Sequence, residues 1–455
     1  MKTVIVTIPS APLSQGFLRT DFLQHLTKGG DTRVVLLVPP FKHAYYAKEF
    51  VGRSEIVVES APYDRYKRFE GIAHQFLRQS IPSTTIYNRQ MHAFYSKSGL
   101  VRWLWFVSTR ILWLLGHMRI WREFLRLLYT LTPYAAYLPI IDQHKPDLIF
   151  ATTLFDRMDL GLMKAARKRG VRIVGMPKSW DSITSKCFTP IKPDYMLVQN
   201  QITRAESITY SDMREDRLSI VGIPQFDFYF NSSLIMPRDE WLHTINVPHE
   251  ERYILFTGGG LDLFPDECDV LAMLHERMMR DDSFKHVKLV YRPHPNYGWC
   301  VDVAKDSQKI VIAESHKKVH DTSGGWEFEP EDLKFLLNSI QHADVVLHMA
   351  STIGIEVALL DRPMIGIASD GKKQKPFYLS SERYYHTNHF SPMTQSGGMK
   401  IARTVDEIMA GLRAYRENSS LDKAGRERVV REEVVYTDGK SARRIAEKLR
   451  EILSV

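Results

Sequence analysis

Short β-branched and apolar runs alternate with stretches of helical period from the start of the chain. Lys2 to Ile8, Arg33 to Val38 and Glu55 to Val58 read as strands. Between the first two, Phe17, Leu18, Phe22, Leu23 and Leu26 mark a helix that Gly29 and Gly30 end. This alternation predicts a parallel sheet with helices on its faces. It resumes with strands at Asp147–Thr152, Val171–Met176, Asp194–Val198 and Leu218–Val221, and with helices over Arg157–Arg169 and about Ile202–Thr209. A polar, proline-bearing stretch from about Ser232 to Glu251 reads as a linker. The alternation then restarts. Strands are expected at Tyr253–Thr257, Val287–Tyr291, Ile310–Glu314, Val345–Leu347 and Met364–Ile367. Helices are expected at Cys268–Met279, after Pro330, and through Glu356, Ala358, Leu359 and Leu360 up to Arg362–Pro363. Two doubly wound α/β domains follow from this pattern, residues 1–240 and 241–455, and a length of 455 residues needs more than one core.

One stretch breaks the pattern. From about Tyr63 to Ile141 the signal is helical, an insertion in the first domain. Lys97 to Arg126 carries Trp103, Trp105, Trp113 and Trp121, with a net charge of +5 from Lys97 and five arginines against Glu123. Arg102, Thr109, Arg110 and His117 share one helical stripe, and Arg119, Arg122, Glu123 and Arg126 another, with Gly116 where they change. Two amphipathic helices, or one bent helix, are expected. They form either a surface resting on anionic lipid or an insertion packed on the domain. Charges interrupt each apolar span, so no transmembrane helix is predicted.

The composition adds two points. A net charge of +8 suits an anionic ligand, a nucleic acid or an anionic membrane. No nucleic-acid recognition module is present, so that partner is not expected. Cys187, Cys268 and Cys300 are far apart, which suggests neither a disulfide framework nor a zinc site and fits a reducing cytosol. The apolar run Val4–Ile8 is too short for a signal peptide.

Ligands of doubly wound sheets bind at the carboxyl ends of strands. Trp180–Asp181, Gly258–Gly260, Arg292–Pro295 and Ser351–Thr352 all follow predicted strands, so one cleft is expected to collect them. Hydroxyls and free N–H groups at Ser351, Thr352 and Gly354 suit phosphate oxygens, and Glu356 suits a ribose. The same residues are also compatible with an ordinary cap. Gly258 and Gly259 allow either close backbone approach to phosphate or a plain tight turn. The acidic pairs Asp156/Asp159 and Asp262/Asp266 suit helix starts, and no metal site is expected.

The ordered motifs SWDSITSK (179–186), KPDYMLVQN (192–200), VGIPQFD (221–227), FTGGG (256–260), YRPHP (291–295) and HMASTIGIEVALLDRP (348–363) resemble the GT-B glycosyltransferase superfamily. The resembling branch contains UDP-GlcNAc 2-epimerases, CDP-glycerol glycerophosphotransferases and bacterial surface-polysaccharide glycosyltransferases. The resemblance spans roughly residues 147 to 367. It implies two Rossmann-like domains facing a cleft, with the acceptor on the N-terminal side and the nucleotide on the C-terminal side. Ser351, Thr352 and Gly354 match the diphosphate turn, Glu356 the ribose acid, and Arg292 and His294 the basic turn facing the diphosphate. Asp181 falls where such enzymes present a catalytic acid or histidine, with Asp156 as competitor. The glycerophosphotransferase branch tends to have Trp–His–Gly there, whereas this chain has Trp180–Asp181–Ser182. Lys178 and Lys186 are placed to meet an anionic acceptor or solvent, and Tyr384–His389 to border the sugar. The resemblance implies a metal-independent glycosyltransferase with a nucleotide-sugar donor, a glycan or glycolipid acceptor, and no other cofactor, at the cytoplasmic membrane face. The alternatives are an epimerase or glycerophosphotransferase, or a non-catalytic nucleotide-sugar-binding subunit.

Overall fold

The computed structural model describes residues 1–62, 68–186, 188–294, 300, 302–303, 307–313, 317–318, 326–327 and 329–454. Tyr63 at the expected start of the insertion, Cys187, Pro295 and Glu314 lie outside the described residues. The chain divides into two units. Met1–Phe228, Lys318–Phe328 and Val435–Val455 form the first, and Tyr229–Lys317 with Glu329–Val434 the second. The division falls after Phe228 rather than near residue 240, and the last residues group with the first unit.

The first unit holds strands β1 (Lys2–Thr7), β2 (Thr32–Val38), β3 (Ile56–Ser60), β4 (Leu148–Ala151), β5 (Arg172–Gly175), β6 (Tyr195–Val198) and β7 (Leu218–Ile220), in the order β3-β2-β1-β4-β5-β6-β7. The strands pair in parallel. Successive side chains of a strand point to opposite faces. Accordingly Ile5 and Val35 join one buried cluster, and Val4, Val6, Val34 and Leu36 another. The second unit contains β8 (Arg252–Thr257), β9 (Val287–Arg292) and β10 (Ile310–Ile312). After a separate two-stranded pair in chain order, β11 (Lys317–Lys318) and β12 (Trp326–Glu327, grouped with the first unit), the second unit continues with β13 (Val345–His348), β14 (Met364–Ile367) and β15 (Lys400–Ala402). Its sheet runs β10-β9-β8-β13-β14-β15, again with parallel pairing. The expected α/β, doubly wound architecture is the one observed.

The insertion is helical as expected, and its two central helices part at Gly116. They are Gly99–Leu115 and Arg119–Thr130. A Cβ at Gly116 would stand 1.9 Å from the Ser80 carbonyl oxygen, so glycine permits the close approach there. Arg122 and Arg126 are buried. Both pair with Asp212, at 2.6 and 2.7 Å, and Arg126 also donates to the carbonyls of Phe188, Thr189 and Ser211. These two arginines of the stripe turn inward while Arg119 stays exposed, because a buried guanidinium requires a full set of acceptors and this loop region supplies them.

One correction concerns the cysteines. Cys268 and Cys300 form a disulfide with Cα atoms 5.1 Å apart. The Glu267–Met279 helix and the segment after β9 bring them together, although 32 residues separate them in sequence. Wide spacing therefore gives no argument for a reducing compartment. Among the described residues no helix is long and apolar enough to cross a membrane.

The final helix, Ser441–Ser454, was not read from the sequence. It buries Ala442, Ile445, Ala446, Leu449 and Ile452 against the cluster holding Phe22, Leu23 and Leu26. Its amphipathic spacing fits one buried face. The first turn is fixed by buried Asp227, whose carboxylate accepts from the amides of Ser441 (3.0 Å) and Ala442 (2.8 Å). Burial pushes the Asp227 carboxyl up from 3.8 to about 6, against the opposing hydrogen bonds. A raised carboxyl pKa stabilises the fold below the unfolded value, and that share is lost as pH rises through the folded value. The Asp227 contribution should therefore fall across pH 4–6, by on the order of 3 kcal/mol. Urea midpoints at pH 4.5 and 7.5 should differ less in Asp227→Asn than in the parent chain. An identical pH slope in both proteins would remove this assignment.

Candidate functional site

In the second unit the chain order reverses between β8 and β13, the kind of position where doubly wound sheets bind ligands. Three expected segments leave strand ends there. Gly258–Gly260 follows β8, Arg292 closes β9, and Ser351–Thr352 follow β13. Thr257 is paired with both Arg292 and His348, so the three ends are in register.

Arg292, Glu356 and Tyr229 form the electrostatic centre. Glu356 lies in the first turn of the Ile353–Leu359 helix and accepts a hydrogen bond from the Tyr229 hydroxyl. Enclosure raises the Glu356 pKa, and the hydroxyl and the Arg292 charge only partly offset that. Tyr229 is pushed well above its ordinary range by burial and by Glu356. Desolvation lowers the Arg292 pKa, and its Nε is buried without a hydrogen-bond partner among the described residues. A guanidinium with an open donor beside a held carboxylate suits an anionic, hydroxyl-bearing ligand. His294 stands two residues on and is half-buried. The hydroxyl of Ser351 meets the Ile353 amide at 3.4 Å, and Thr352 makes no side-chain cap bond.

The glycines sit in tightly packed surroundings. The amide of Gly258 donates to the Arg292 carbonyl at 2.9 Å. Those of Gly259 and Gly260 donate to the Glu267 carboxylate at 2.8 and 3.0 Å. Glu267 also accepts from Tyr291, at 2.8 Å, and burial raises its pKa. A Cβ at Gly258 would stand 2.4 Å from Glu267, and one at Gly259 2.3 Å from Phe264. At Gly354 it would stand 2.8 Å from Met393. The three glycines let neighbouring side chains pack close, and the amides of Gly258 and Gly259 are already bonded within the protein. The Tyr384–His389 segment is also largely structural. Tyr385 is buried and donates to the Ile367 carbonyl at 3.0 Å.

Two residues here escaped the sequence reading. Tyr229 follows VGIPQFD by two positions, and only the aromatic run FDFYF marked it. His348 is fully buried at the end of β13, bonded through Nδ1 to the Met349 carbonyl at 2.8 Å. Burial lowers it to about 4, so it is neutral at pH 7.

In the first unit Asp181 follows β5 and is partly buried. It accepts from the hydroxyls of Ser179 and Ser185, the latter at 3.0 Å, and Lys186 Nζ stands 3.3 Å away. Asp156 after β4 accepts the Met158 amide at 2.9 Å as the N-cap of the Arg157–Arg169 helix. Burial raises the Asp156 pKa. Asp159, in the same helix, accepts the Thr153 amide and hydroxyl at 2.6 Å and is pushed up to about 6 by burial and by Asp156. Burial lowers the Lys178 pKa, and the charges of Asp181 and Asp156 oppose it. The two competing carboxylates therefore flank one lysine. Among the described residues no cluster of His, Cys, Asp or Glu is placed to hold a metal ion.

No curated protein matches the chain. Solved structures match over its whole length. S. aureus MnaA in complex with UDP is 12% identical with a TM-score of 0.59, covering 100% of this chain and 97% of that one. UDP-GlcNAc 2-epimerase from Neisseria meningitidis, bound to UDP-GlcNAc, is 9% identical with a TM-score of 0.58, covering 99% and 100%. A glycosyltransferase from Rickettsia africae ESF-5 is 11% identical with a TM-score of 0.52, covering 100% and 98%. At such identities the likeness establishes the GT-B fold alone. The sequence itself matches one family over residues 187–451, beginning just after Trp180–Asp181–Ser182. That match covers more than half of the chain, which therefore belongs to the CDP-Glycerol:Poly(glycerophosphate) glycerophosphotransferase family.

Proposed function

We propose that this protein is a metal-independent glycosyltransferase that takes a sugar from a nucleotide-sugar donor to a glycan or glycolipid hydroxyl. The observation that carries the reading is the Arg292–Glu356–Tyr229 cluster at the carboxyl end of the second unit's sheet. In this reading Glu356, oriented by Tyr229, binds the ribose diol. The open donor of Arg292, with His294, Ser351 and Thr352, meets the diphosphate. Asp181 in the first unit is the general base, oriented by Ser179 and Ser185. It takes the proton of the acceptor hydroxyl as that oxygen attacks the anomeric carbon. The bond from that carbon to the diphosphate breaks, and the nucleoside diphosphate leaves with both electrons. Arg292 and His294 offset the charge that develops there.

A second reading is transfer of glycerol phosphate from CDP-glycerol, and the family match favours it. The acidic Asp181 and its position outside the matched residues favour sugar transfer. Product analysis with UDP-sugars and with CDP-glycerol separates the two.

We also propose that the protein rests on a membrane through the insertion. The Gly99–Leu115 helix leaves Leu100, Leu104, Ile111 and Leu114 exposed by 75, 65, 51 and 61%. Val107 falls on the same stripe, and Ile120, Phe124, Leu127 and Leu131 form a second exposed stripe. Contiguous apolar patches of this kind mark interaction surfaces. The cations are partly tied down, with Arg110 over Tyr87 at 3.9 Å and Lys97 over Trp105 at 4.6 Å. The reading therefore shifts from charge-driven attachment to shallow apolar insertion, with Lys97 and Arg119 at the rim.

Three outcomes test these proposals. Glu356→Ala should weaken nucleoside diphosphate binding by about 1–3 kcal/mol in isothermal titration, and Tyr229→Phe by less. Unchanged affinity in Glu356→Ala would remove the ribose assignment. Asp181→Asn should lower turnover by on the order of 10²–10⁴-fold with nucleotide affinity intact. Asp156→Asn should cost mainly the helix cap, about 1 kcal/mol. An active Asp181 variant beside an inactive Asp156 variant would exchange their roles. Finally, the chain should co-sediment with anionic vesicles, and Leu104→Asp with Ile111→Asp should abolish this more completely than added salt does. Negligible binding to all vesicles, with self-association in gel filtration, would assign the patch to a second copy.

A further inference from the structure

A pocket of about 450 Å³ opens in the second unit away from the cluster described above. Arg238, Arg252, Arg362, His342, Asp344 and Glu250 line it. Its place in the sheet is the reverse of the nucleotide side. Arg252 begins β8, Asp344 immediately precedes β13, and Arg362 stands two residues before β14. These are the amino ends of three adjacent strands. Arg292, Ser351 and Thr352 lie at or beyond the carboxyl ends. At roughly 3.3 Å per residue a strand keeps the two edges well apart.

The charges of the pocket do not cancel. Asp344 pairs with Arg252, which donates to its Oδ1 at 2.9 Å, while its Oδ2, 2.7 Å from Arg252 Nε, has no hydrogen-bond partner among the described residues. Glu250 is largely exposed and pairs with His249 at 3.1 Å. Among the described residues Arg238 donates to backbone carbonyls, those of His249 at 3.2 Å and Glu251 at 2.8 Å. Arg362 is half-buried, and its Nε is enclosed without a hydrogen-bond partner among the described residues. Its neighbour Asp361 is occupied by Arg426 at 2.9 Å and Lys423 at 3.3 Å. His342 holds the Met236 carbonyl through Nε2 at 2.9 Å, and burial lowers its pKa, so it adds little charge near neutrality. Two guanidinium groups therefore meet a cavity without a paired carboxylate. One of them has already lost part of its hydration. Burying a cation in that way is unfavourable unless an acceptor completes its donors.

We propose that this pocket is a second ligand site, for a small phosphorylated anion. The planar fork of arginine matches two oxygens of one phosphoryl group, and two such forks favour phosphate over a lone carboxylate. A volume of about 450 Å³ has room for a phosphate ester as well as for the free ion. The site is independent of the donor reading, because none of its residues belongs to the Arg292–Glu356–Tyr229 cluster.

Isothermal titration of the full chain with inorganic phosphate, pyrophosphate and glycerol 3-phosphate tests it. To silence the donor side, the titration uses Arg292→Ala as background. This variant should still bind at least one probe. Adding Arg362→Gln should weaken that binding by about tenfold or more, the loss of a charge-assisted fork. Tighter binding of glycerol 3-phosphate than of phosphate would identify an ester as the ligand. Equal binding would identify the free ion. If Arg362→Gln melts at lower temperature, Arg238→Gln decides, since among the described residues that side chain is held by two carbonyls. No binding of any probe to the Arg292→Ala chain overturns the proposal. So does unchanged binding in both the Arg362 and Arg238 variants. Failure of nucleotide binding in the parent chain would count against the donor site and leave this pocket untouched.

Discussion

A parallel sheet covered on both faces leaves the amides of its carboxyl-end loops inside the protein, where each needs an acceptor. Both units meet this constraint in the same way. After β8, Glu267 in the following helix turns back to accept the amides of Gly259 and Gly260. After β4, Asp159 in the following helix accepts the amides of Thr153 and Leu154. Each carboxylate is almost wholly buried, and burial raises the pKa of both. Their hydrogen bonds hold the loops that present the candidate site residues.

That division separates the acids that hold loops from those to which the proposed function gives chemistry. In the second unit the loop acid is Glu267, and Glu356 is left beside Arg292 and Tyr229. In the first unit the loop acid is Asp159, and Asp181 is left beside Lys178 and Lys186. Asp156 lies between the two cases. It caps its helix, yet its charge still acts on Lys178. Removing it would therefore alter the electrostatics around Asp181 as well as the cap, so a small change in rate in that variant is compatible with Asp181 as the base.

The alternation of strands and helices and the placement of motif turns were legible in the sequence because they rest on local signals. β-branched runs, terminating glycines and Ser/Asp caps each report a backbone state within a few residues. What escaped depends on contacts between distant segments. Asp227 reaches Ser441 across 214 positions, and no local pattern marks it as the anchor of the last helix. Tyr229 reaches Glu356 across 127 positions. The glycines of FTGGG were visible as a motif, but the bulky neighbours that require them, Glu267 and Phe264, were not. Cys268 and Cys300 failed for the same reason, since sequence spacing says little about distance once a helix packs on a strand.

The insertion shows how periodicity can be right while leaving open which of its charges turn inward. The sequence placed two charged stripes on the helices, and both stripes exist. A charged stripe is normally taken as the solvent face. Here Arg122 and Arg126 turn inward because Asp212 and three loop carbonyls provide a complete acceptor set. With the guanidinium groups committed to the interior, the helix rotates so that Ile120, Phe124 and Leu127 face outward. The Gly99–Leu115 helix adds Leu100, Leu104 and Ile111. Satisfying two buried charges thus exposes a larger apolar surface, an arrangement that is unfavourable in water unless something covers that surface.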